Sequence, residues 1–457
     1  MRKTVNTFDI FVIGTGTAGQ TAVSELLHPS GKDRQAPGRG LRIGIADKRP
    51  FGGTCALRGC QPKKYLVVPT HAALAARALT ERGFHSAPRL DWQKMHQSLQ
   101  AFVAPIPSGT KAGLEKKGVR CFTGHCEFTS PTKLVCGQDT ITAETFVIAT
   151  GARPRPLPIK GAEYAVCSDD FLALPNLPER IVFIGAGYIS MEFACVAAAA
   201  GASVTVLNNG KRILEPFDAD TVKILEDACN ARGIDIRNGV SVAEIRKNGT
   251  GCFEVQIEGG DTIAADLVVG AIGRVPNIEN LGLEKAGVAF NERGIETDAY
   301  MRTSHHQIYA IGDCVQGIQL APVSDLEARV AARNIINPMS ETVDLDPLPS
   351  VVFSYPQIAA VGMSEKTALK ESNVRVAKGS GAGWPNYRRL NESHVGYKVI
   401  IDEDTDTLLG AHLIGPWAGE LINLFALAMK NGIPTKQLKE LPWAYPTYGA
   451  DIKYMFG

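Results

Sequence analysis

Net charge is what this chain most plainly lacks. Its 48 Lys and Arg stand against 47 Asp and Glu, leaving +1 on 457 residues. No basic excess or basic run is present, which removes the footprint of a nucleic-acid or anionic-membrane binder and leaves a small-molecule partner. Long apolar runs are missing as well. Met1–Thr7 leads into Phe8-Asp9-Ile10-Phe11-Val12-Ile13, which Gly14 breaks too soon for a signal peptide or membrane span. The ten cysteines do not space out as a secreted framework; most stand alone, as Cys195 and Cys229 do, so a reducing, cytoplasmic compartment is expected. None precedes Gly14 and none follows Cys314. His71, His85 and His96 show no clustered spacing and read as structural or surface residues. One core does not suffice at this length, and two to four domains are expected.

Present instead is a thiol pair in a distinctive setting. In Gly52-Gly53-Thr54-Cys55-Ala56-Leu57-Arg58-Gly59-Cys60-Gln61-Pro62-Lys63-Lys64, a Gly-rich turn leads to Cys55, and a Pro and two Lys follow Cys60. In a regular helix, rising about 1.5 Å per residue, that separation exceeds the roughly 7 Å a disulfide spans. A bridge here requires a distorted first turn, and strained bridges are the reducible ones. A helix N-terminus with nearby Lys also lowers a thiol's pKa. The pair reads as a redox centre. Cys121 and Cys126 repeat the gap without turn, Pro or Lys, in a strand-like or hairpin-like alternation, and are expected to be small buried side chains.

Two dinucleotide fingerprints complete the picture. The first strand ends in Gly14-Thr15-Gly16-Thr17-Ala18-Gly19 and a helical segment follows, so the glycines permit a tight turn and let a pyrophosphate approach the helix N-terminus. Asp47, closing the next strand, is the expected ribose acceptor; it comes late because His28 to Gly40 reads as an inserted polar loop. The second copy is Gly185-Ala186-Gly187-Tyr188-Ile189-Ser190, with Ser190 as a small substitute for the third glycine. Its following strand ends at Asn208-Asn209-Gly210-Lys211-Arg212, without the acid that selects NADH. Lys211 and Arg212 suit a 2′-phosphate and hence NADPH, with NADH the choice if the two are merely a solvated loop. One site for a flavin and one for a nicotinamide, around a dithiol, define redox chemistry.

In this order the segments resemble the FAD-dependent pyridine nucleotide–disulfide oxidoreductases, the group of glutathione reductase, dihydrolipoamide dehydrogenase and mercuric reductase. The resemblance covers almost the whole chain. It extends to Thr145–Pro154 and Gly270–Asn277 as crossings between domains, to Tyr309–Cys314 and Leu320–Val323, and to Pro349–Pro356 and Leu408–Pro416 in the C-terminal part. It implies an α/β chain of two Rossmann-like dinucleotide-binding domains and a C-terminal α+β dimerisation domain. The FAD domain would comprise 1–152 and 273–340, the NAD(P) domain 153–272, and the dimerisation domain 345–457. Cys55 would be the thiol that attacks substrate, and Cys60 the one packed on the flavin. Lys63 would pair with Glu192 near the flavin, unless Glu192 is an ordinary helix carboxylate, and Lys64 would be the alternative flavin contact. FAD contacts would come from Gly14, Gly16, Gly19, Asp47, Lys48, Gly53, Thr54, Cys126, Thr150, Gly151, Gly273, Asp313 and Ala321. The nicotinamide nucleotide would meet Gly185, Gly187, Tyr188, Ile189, Asn208, Lys211 and Arg212, with Tyr188 covering the flavin until displaced.

The sequence departs from the family at its C-terminal end. Where such enzymes carry a His-Pro-Thr run and a later Glu, this chain reads Trp443-Ala444-Tyr445-Pro446-Thr447-Tyr448-Gly449-Ala450-Asp451. Tyr445 takes the His position, Ala450 the Glu position, and Asp451 stands beside it. A phenol with pKa near 10 donates a proton but hardly accepts one at neutral pH. Tyr445 either hydrogen-bonds a thiolate or packs at a dimer interface. The expectation is a homodimeric NAD(P)H-dependent reductase acting on a small disulfide or another electron acceptor. Metal-ion reduction lacks the second Cys pair such chemistry uses. Quinone or dye reduction and a non-catalytic flavoprotein binding role are also compatible with these residues.

Overall fold

The computed structural model describes residues 5–28, 40–249 and 251–457, so the polar insertion expected after His28 lies, from 29 to 39, outside the described residues. The chain divides into two compact units. The first gathers Met1–Lys64, Gln97–Arg155 and Arg274–Asp344; the second gathers Tyr65–His96, Pro156–Gly273 and Leu345–Gly457.

The first unit is built on strand β1 (Val5–Ile13), helix α1 (Thr17–Leu27) and strand β2 (Ile43–Asp47). Helix α2 (Gly53–Leu57) and the first residues, to Lys64, of helix α3 (Cys60–Ala78) come next, then strands β3 (Arg120–Thr123), β4 (Cys126–Ser130), β5 (Lys133–Cys136) and β6 (Asp139–Ile148). The sheet runs β3-β2-β1-β6-β5-β4, and strand Ile308–Ala310 pairs in parallel with β6. The end of β1 is apolar on both faces, as parallel strands covered on both sides must be. Phe11, Phe128 and Phe146 are fully enclosed, with Phe146 edge-on to Phe11 at 6.2 Å and to Phe128 at 5.1 Å. Helix α1 packs beside helix Ala321–Ile336.

The second unit holds a four-stranded parallel sheet. Its central strand Arg180–Ile184 lies between Ser203–Asn208 and Leu267–Gly270, and Ile234–Asn238 extends the edge. Helix Tyr188–Ala199 follows the central strand. The C-terminal part forms a five-stranded antiparallel sheet with helix Ala418–Lys430 on it. Lys398, on that sheet, is tied to Asp218 at 2.7 Å and Glu365 at 2.7 Å. The expected α/β fold is therefore present.

Two cysteine readings change. Cys195 and Cys229 do not stand alone: helices Tyr188–Ala199 and Ala219–Ala231 bring the two buried thiols close enough that each is the largest influence on the other's pKa. Cys126 is buried as expected, but its neighbour is Cys136 rather than Cys121, since β4 turns back antiparallel onto β5 while β3 pairs with β2.

Replacing Phe146 by Ala removes the ring at the centre of the first unit's aromatic cluster. It is expected to destabilise that unit by about 3–5 kcal/mol. A thermal scan followed by near-UV circular dichroism should show a lowered first transition; an unchanged scan would mean that Phe146 is not central to this core.

Candidate active site

The site of the first unit starts from a steric requirement. Gly14 has φ +116°, and a Cβ there would lie 2.1 Å from the Ala149 carbonyl oxygen, so β1 can turn into α1 only without a side chain. Gly16 caps α1 with no side-chain hydrogen bond, leaving backbone N–H groups directed outward. Against it lies Gly53, where a Cβ would fall 2.2 Å from the Gly16 Cα. The turn before the thiol pair is thus seated directly on the fingerprint.

Asp47 fastens the same junction. Its carboxylate accepts from the Thr15 backbone N at 2.9 Å, the Thr15 hydroxyl at 2.6 Å and the Arg49 backbone N at 2.9 Å. A carboxylate offers about four acceptor positions, so one remains for a ribose hydroxyl. The Gly52 N–H in turn donates to the Thr15 hydroxyl oxygen at 3.1 Å. Lys48 donates to the Asn277 side-chain oxygen at 3.4 Å, and Asn277 donates to the Thr150 carbonyl at 3.1 Å. The Cys126 side chain is committed to Cys136.

The thiols sit where the helix breaks. Cys55 lies in α2 and Cys60 opens α3; between them Arg58 leaves the helical region at φ −147°. The distortion required by the spacing is there, and Cys60 is the strongest influence on the Cys55 thiol. The Thr17 hydroxyl and the Cys60 backbone N–H reach the Cys55 sulfur in return. The expected lowered pKa is not found at Cys55. Its hydrogen bond to Cys60, and then burial, push it well above the ordinary thiol range, because the proton is shared inside the pair and the sulfur is partly desolvated. Both thiols are reduced, with Cys60 exposed and Cys55 half-buried. Lys63, one turn along α3, is 9% exposed, and Lys64 is half-buried.

Asp313 stands in the short turn Gly312–Cys314, where burial raises its pKa and the Ser324 hydroxyl donates to it at 3.4 Å. Sequence reading missed Glu327, which holds this turn: it accepts the Gly312 N–H at 2.6 Å. Burial lifts its pKa to about 7. Its only sequence signal was an acid on an apolar face of the helix that Ala321 opens.

In the second unit Gly185 has φ +101°, and Gly187 caps helix Tyr188–Ala199 without a side-chain bond, in open space. Tyr188 is exposed and Ser190 is fully buried. Asn208 turns inward. Its Nδ2 donates to the Gly210 carbonyl, the Arg212 carbonyl at 2.8 Å and Asn238 Oδ1 at 2.8 Å, and its Oδ1 accepts the Gly210 N–H. This amide braces the loop, and its Nδ2 protons are taken up within it. Arg212 donates through Nη2 to the Glu215 carbonyl at 2.5 Å, while its Nη1 is buried and partner-free among the described residues. Lys211 is exposed. Glu192 is no ordinary surface carboxylate: it is 1% exposed, and its Oε1 accepts the Phe353 N–H at 2.8 Å. Tyr445 is 71% exposed. Asp451 is buried and receives the Asn386 amide at 2.9 Å, with burial raising its pKa.

A profile described as pyridine nucleotide-disulphide oxidoreductase matches residues 8–328, and that family's dimerisation domain matches residues 348–456. The chain belongs to this family. Among its relatives, glutathione reductase of Burkholderia cepacia is 34% identical over 428 residues, covering 93% of this chain and 92% of the relative. Dihydrolipoyl dehydrogenase of Chlamydia muridarum is 33% identical over 453 residues, covering 96% and 94%. A solved structure of the HOCl-induced flavoprotein disulfide reductase RclA from Escherichia coli, in a Cu(II) complex, superposes with TM-score 0.88 at 26% identity over 99% of each chain. Members of the family use FAD and NAD(P)H to act on disulfides. The residues present fit both groups. The uncapped start of α1 beside Gly53 is a cradle for FAD, and the open start of helix Tyr188–Ala199 one for the nicotinamide nucleotide.

Glu327 gives a pH test. Its folded pKa lies above the unfolded carboxylate value, so the neutral form favours folding below about pH 4.5 and that contribution is lost as pH rises through 7. Glu327→Gln keeps the acceptor for the Gly312 N–H without the charge. Relative to wild type it should gain about 2.5 kcal/mol between pH 5 and pH 8, at roughly 1.4 kcal/mol per pKa unit. Parallel melting curves for wild type and variant across that interval would refute the assignment.

Proposed function

We infer that this chain is a homodimeric flavoprotein reductase whose redox centre is the Cys55–Cys60 pair, drawing on NADPH, or on NADH, to reduce a low-molecular-weight disulfide. The observation carrying this reading is the break between α2 and α3, which sets Cys55, half-buried, and Cys60, exposed, on two separate helical segments. The break releases the pair from the spacing that a helix of uninterrupted geometry imposes. FAD bound on the Gly14–Gly19 turn supplies the two-electron relay between nicotinamide and sulfur.

The dithiol's chemistry follows from where its proton rests. The neighbouring Cys60 and burial push the Cys55 thiol well above its ordinary range, so its proton must leave before it attacks one sulfur of the substrate. The substrate S–S bond breaks, a mixed disulfide forms on Cys55, and the first thiolate leaves and takes up a proton. Cys60 then attacks the Cys55 sulfur, releasing the second thiol and restoring the bridge, so two electrons and two protons reach the substrate. Proton delivery to the leaving thiolate would come from Tyr445 or water of the partner subunit, a phenol serving there as a donor and not as a base. Lys63 supplies a buried positive charge that favours anionic states of the centre, and Lys211 and Arg212 supply the cations for a 2′-phosphate. The domain division 1–152 with 273–340, 153–272 and 345–457 belongs to this proposal. So does a cytoplasmic setting, which accords with the absence, among the described residues, of any helix long and apolar enough to cross a membrane.

Cys55→Ser is expected to lower NADPH-driven turnover of glutathione disulfide and of a chromogenic aromatic disulfide by about 10³-fold or more. Reduction of an artificial dye by NADPH should persist near the wild-type rate. Equal loss of both activities would show that Cys55 is not the exchanging thiol.

A further inference from the structure

Cys126 and Cys136 stand directly opposite each other on the antiparallel pair β4–β5. The Gly137 N–H donates to the His125 carbonyl at 3.1 Å, one residue beyond Cys136 and one before Cys126. That bond marks Cys126–Cys136 as a non-hydrogen-bonded pair, the kind whose side chains lie closest. Such pairs have Cα atoms about 4.5 Å apart, at the short end of the roughly 4.4–6.8 Å that a disulfide accepts. Each thiol is the largest influence on the other's ionisation, Cys126 being raised and Cys136 lowered. Both are buried, at 3% and 1% exposure. The hairpin is anchored beside the first fingerprint: the Gly124 N–H donates to the Asp47 carbonyl at 2.9 Å, and the Cys136 thiol lies 3.7 Å from the Gly124 carbonyl oxygen.

From this geometry we propose that Cys126 and Cys136 are a second redox couple, separate from Cys55–Cys60, which hydrogen peroxide closes to a cross-strand disulfide. Burial rules out a protein partner or a bulky disulfide as the oxidant and admits only a molecule of about this size. Donation from Cys126 pushes the Cys136 pKa down, so Cys136 reacts first. Its thiolate attacks one peroxide oxygen, the O–O bond breaks, and a sulfenic acid forms with release of hydroxide, which takes up the proton shed by the Cys136 thiol as one water. Cys126 then attacks the Cys136 sulfur; its proton leaves with the displaced hydroxide as a second water, and the S–S bond is made. Two electrons pass from the pair to the peroxide. A bond drawn across such a short span is strained and readily reduced, which suits a reversible couple better than a permanent staple.

The test uses FAD-loaded Cys55→Ser/Cys60→Ser enzyme, in which the primary pair is silent. After treatment with hydrogen peroxide and alkylation, trypsin cuts at Lys133, which lies between the two cysteines and leaves them on separate peptides. The expected result is loss of two titratable thiols and a joined peptide bridged at Cys126 and Cys136, both reversed by dithiothreitol. Peptides that stay separate, a bridge through Cys121, or sulfinic acid at either residue without a bridge would each overturn the proposal. Measuring the intact pair avoids dependence on a Cys136 variant that fails to fold.

Discussion

Backbone contact between Gly16 and Gly53 is the constraint on which the rest of the first unit's site depends. With a Cβ on Gly53 only 2.2 Å from the Gly16 Cα, no other residue lets the turn before Cys55 lie against the fingerprint. That contact fixes where α2 begins, and the break at Arg58 then fixes where α3 begins. Thr15, reached by Asp47 on one side and Gly52 on the other, locks the three segments into one junction. The flavin cradle and the thiol pair are two faces of the same packing.

The cysteines divide by burial rather than by number. Cys55 and Cys60 are reachable from solvent, whereas Cys126 with Cys136 and Cys195 with Cys229 are enclosed. Only the first pair is open to a substrate disulfide. Buried charge marks the second unit in a similar way: Glu192 is enclosed on its helix and held by the Phe353 N–H, where an unconstrained carboxylate would be expelled to water.

Much of this was legible in the sequence because it is local. Strand–Gly-x-Gly–helix order, the Gly52-Gly53 turn and the need for a distorted helix at Cys55–Cys60 all arise within short stretches. What escaped depends on contacts between distant positions. Cys136 meets Cys126 through a hairpin register, Cys229 meets Cys195 across two helices, and Glu327 reaches Gly312 from the following helix. The bracing of the loop by Asn208 was likewise not visible in the motif, because Asn238, which receives its amide, comes from the next strand. The Cys55 pKa goes the opposite way to expectation because the group that acts on it most is another thiol, not a lysine.

Differential alkylation of the FAD-loaded enzyme, read by mass spectrometry, tests the central claim most directly. Isolated oxidised enzyme should resist iodoacetamide at Cys55 and Cys60, and anaerobic addition of NADPH equimolar with flavin should expose both to alkylation while Cys195 and Cys229 stay unlabelled. Flavin reduction with no change in labelling at Cys55 and Cys60 would contradict it.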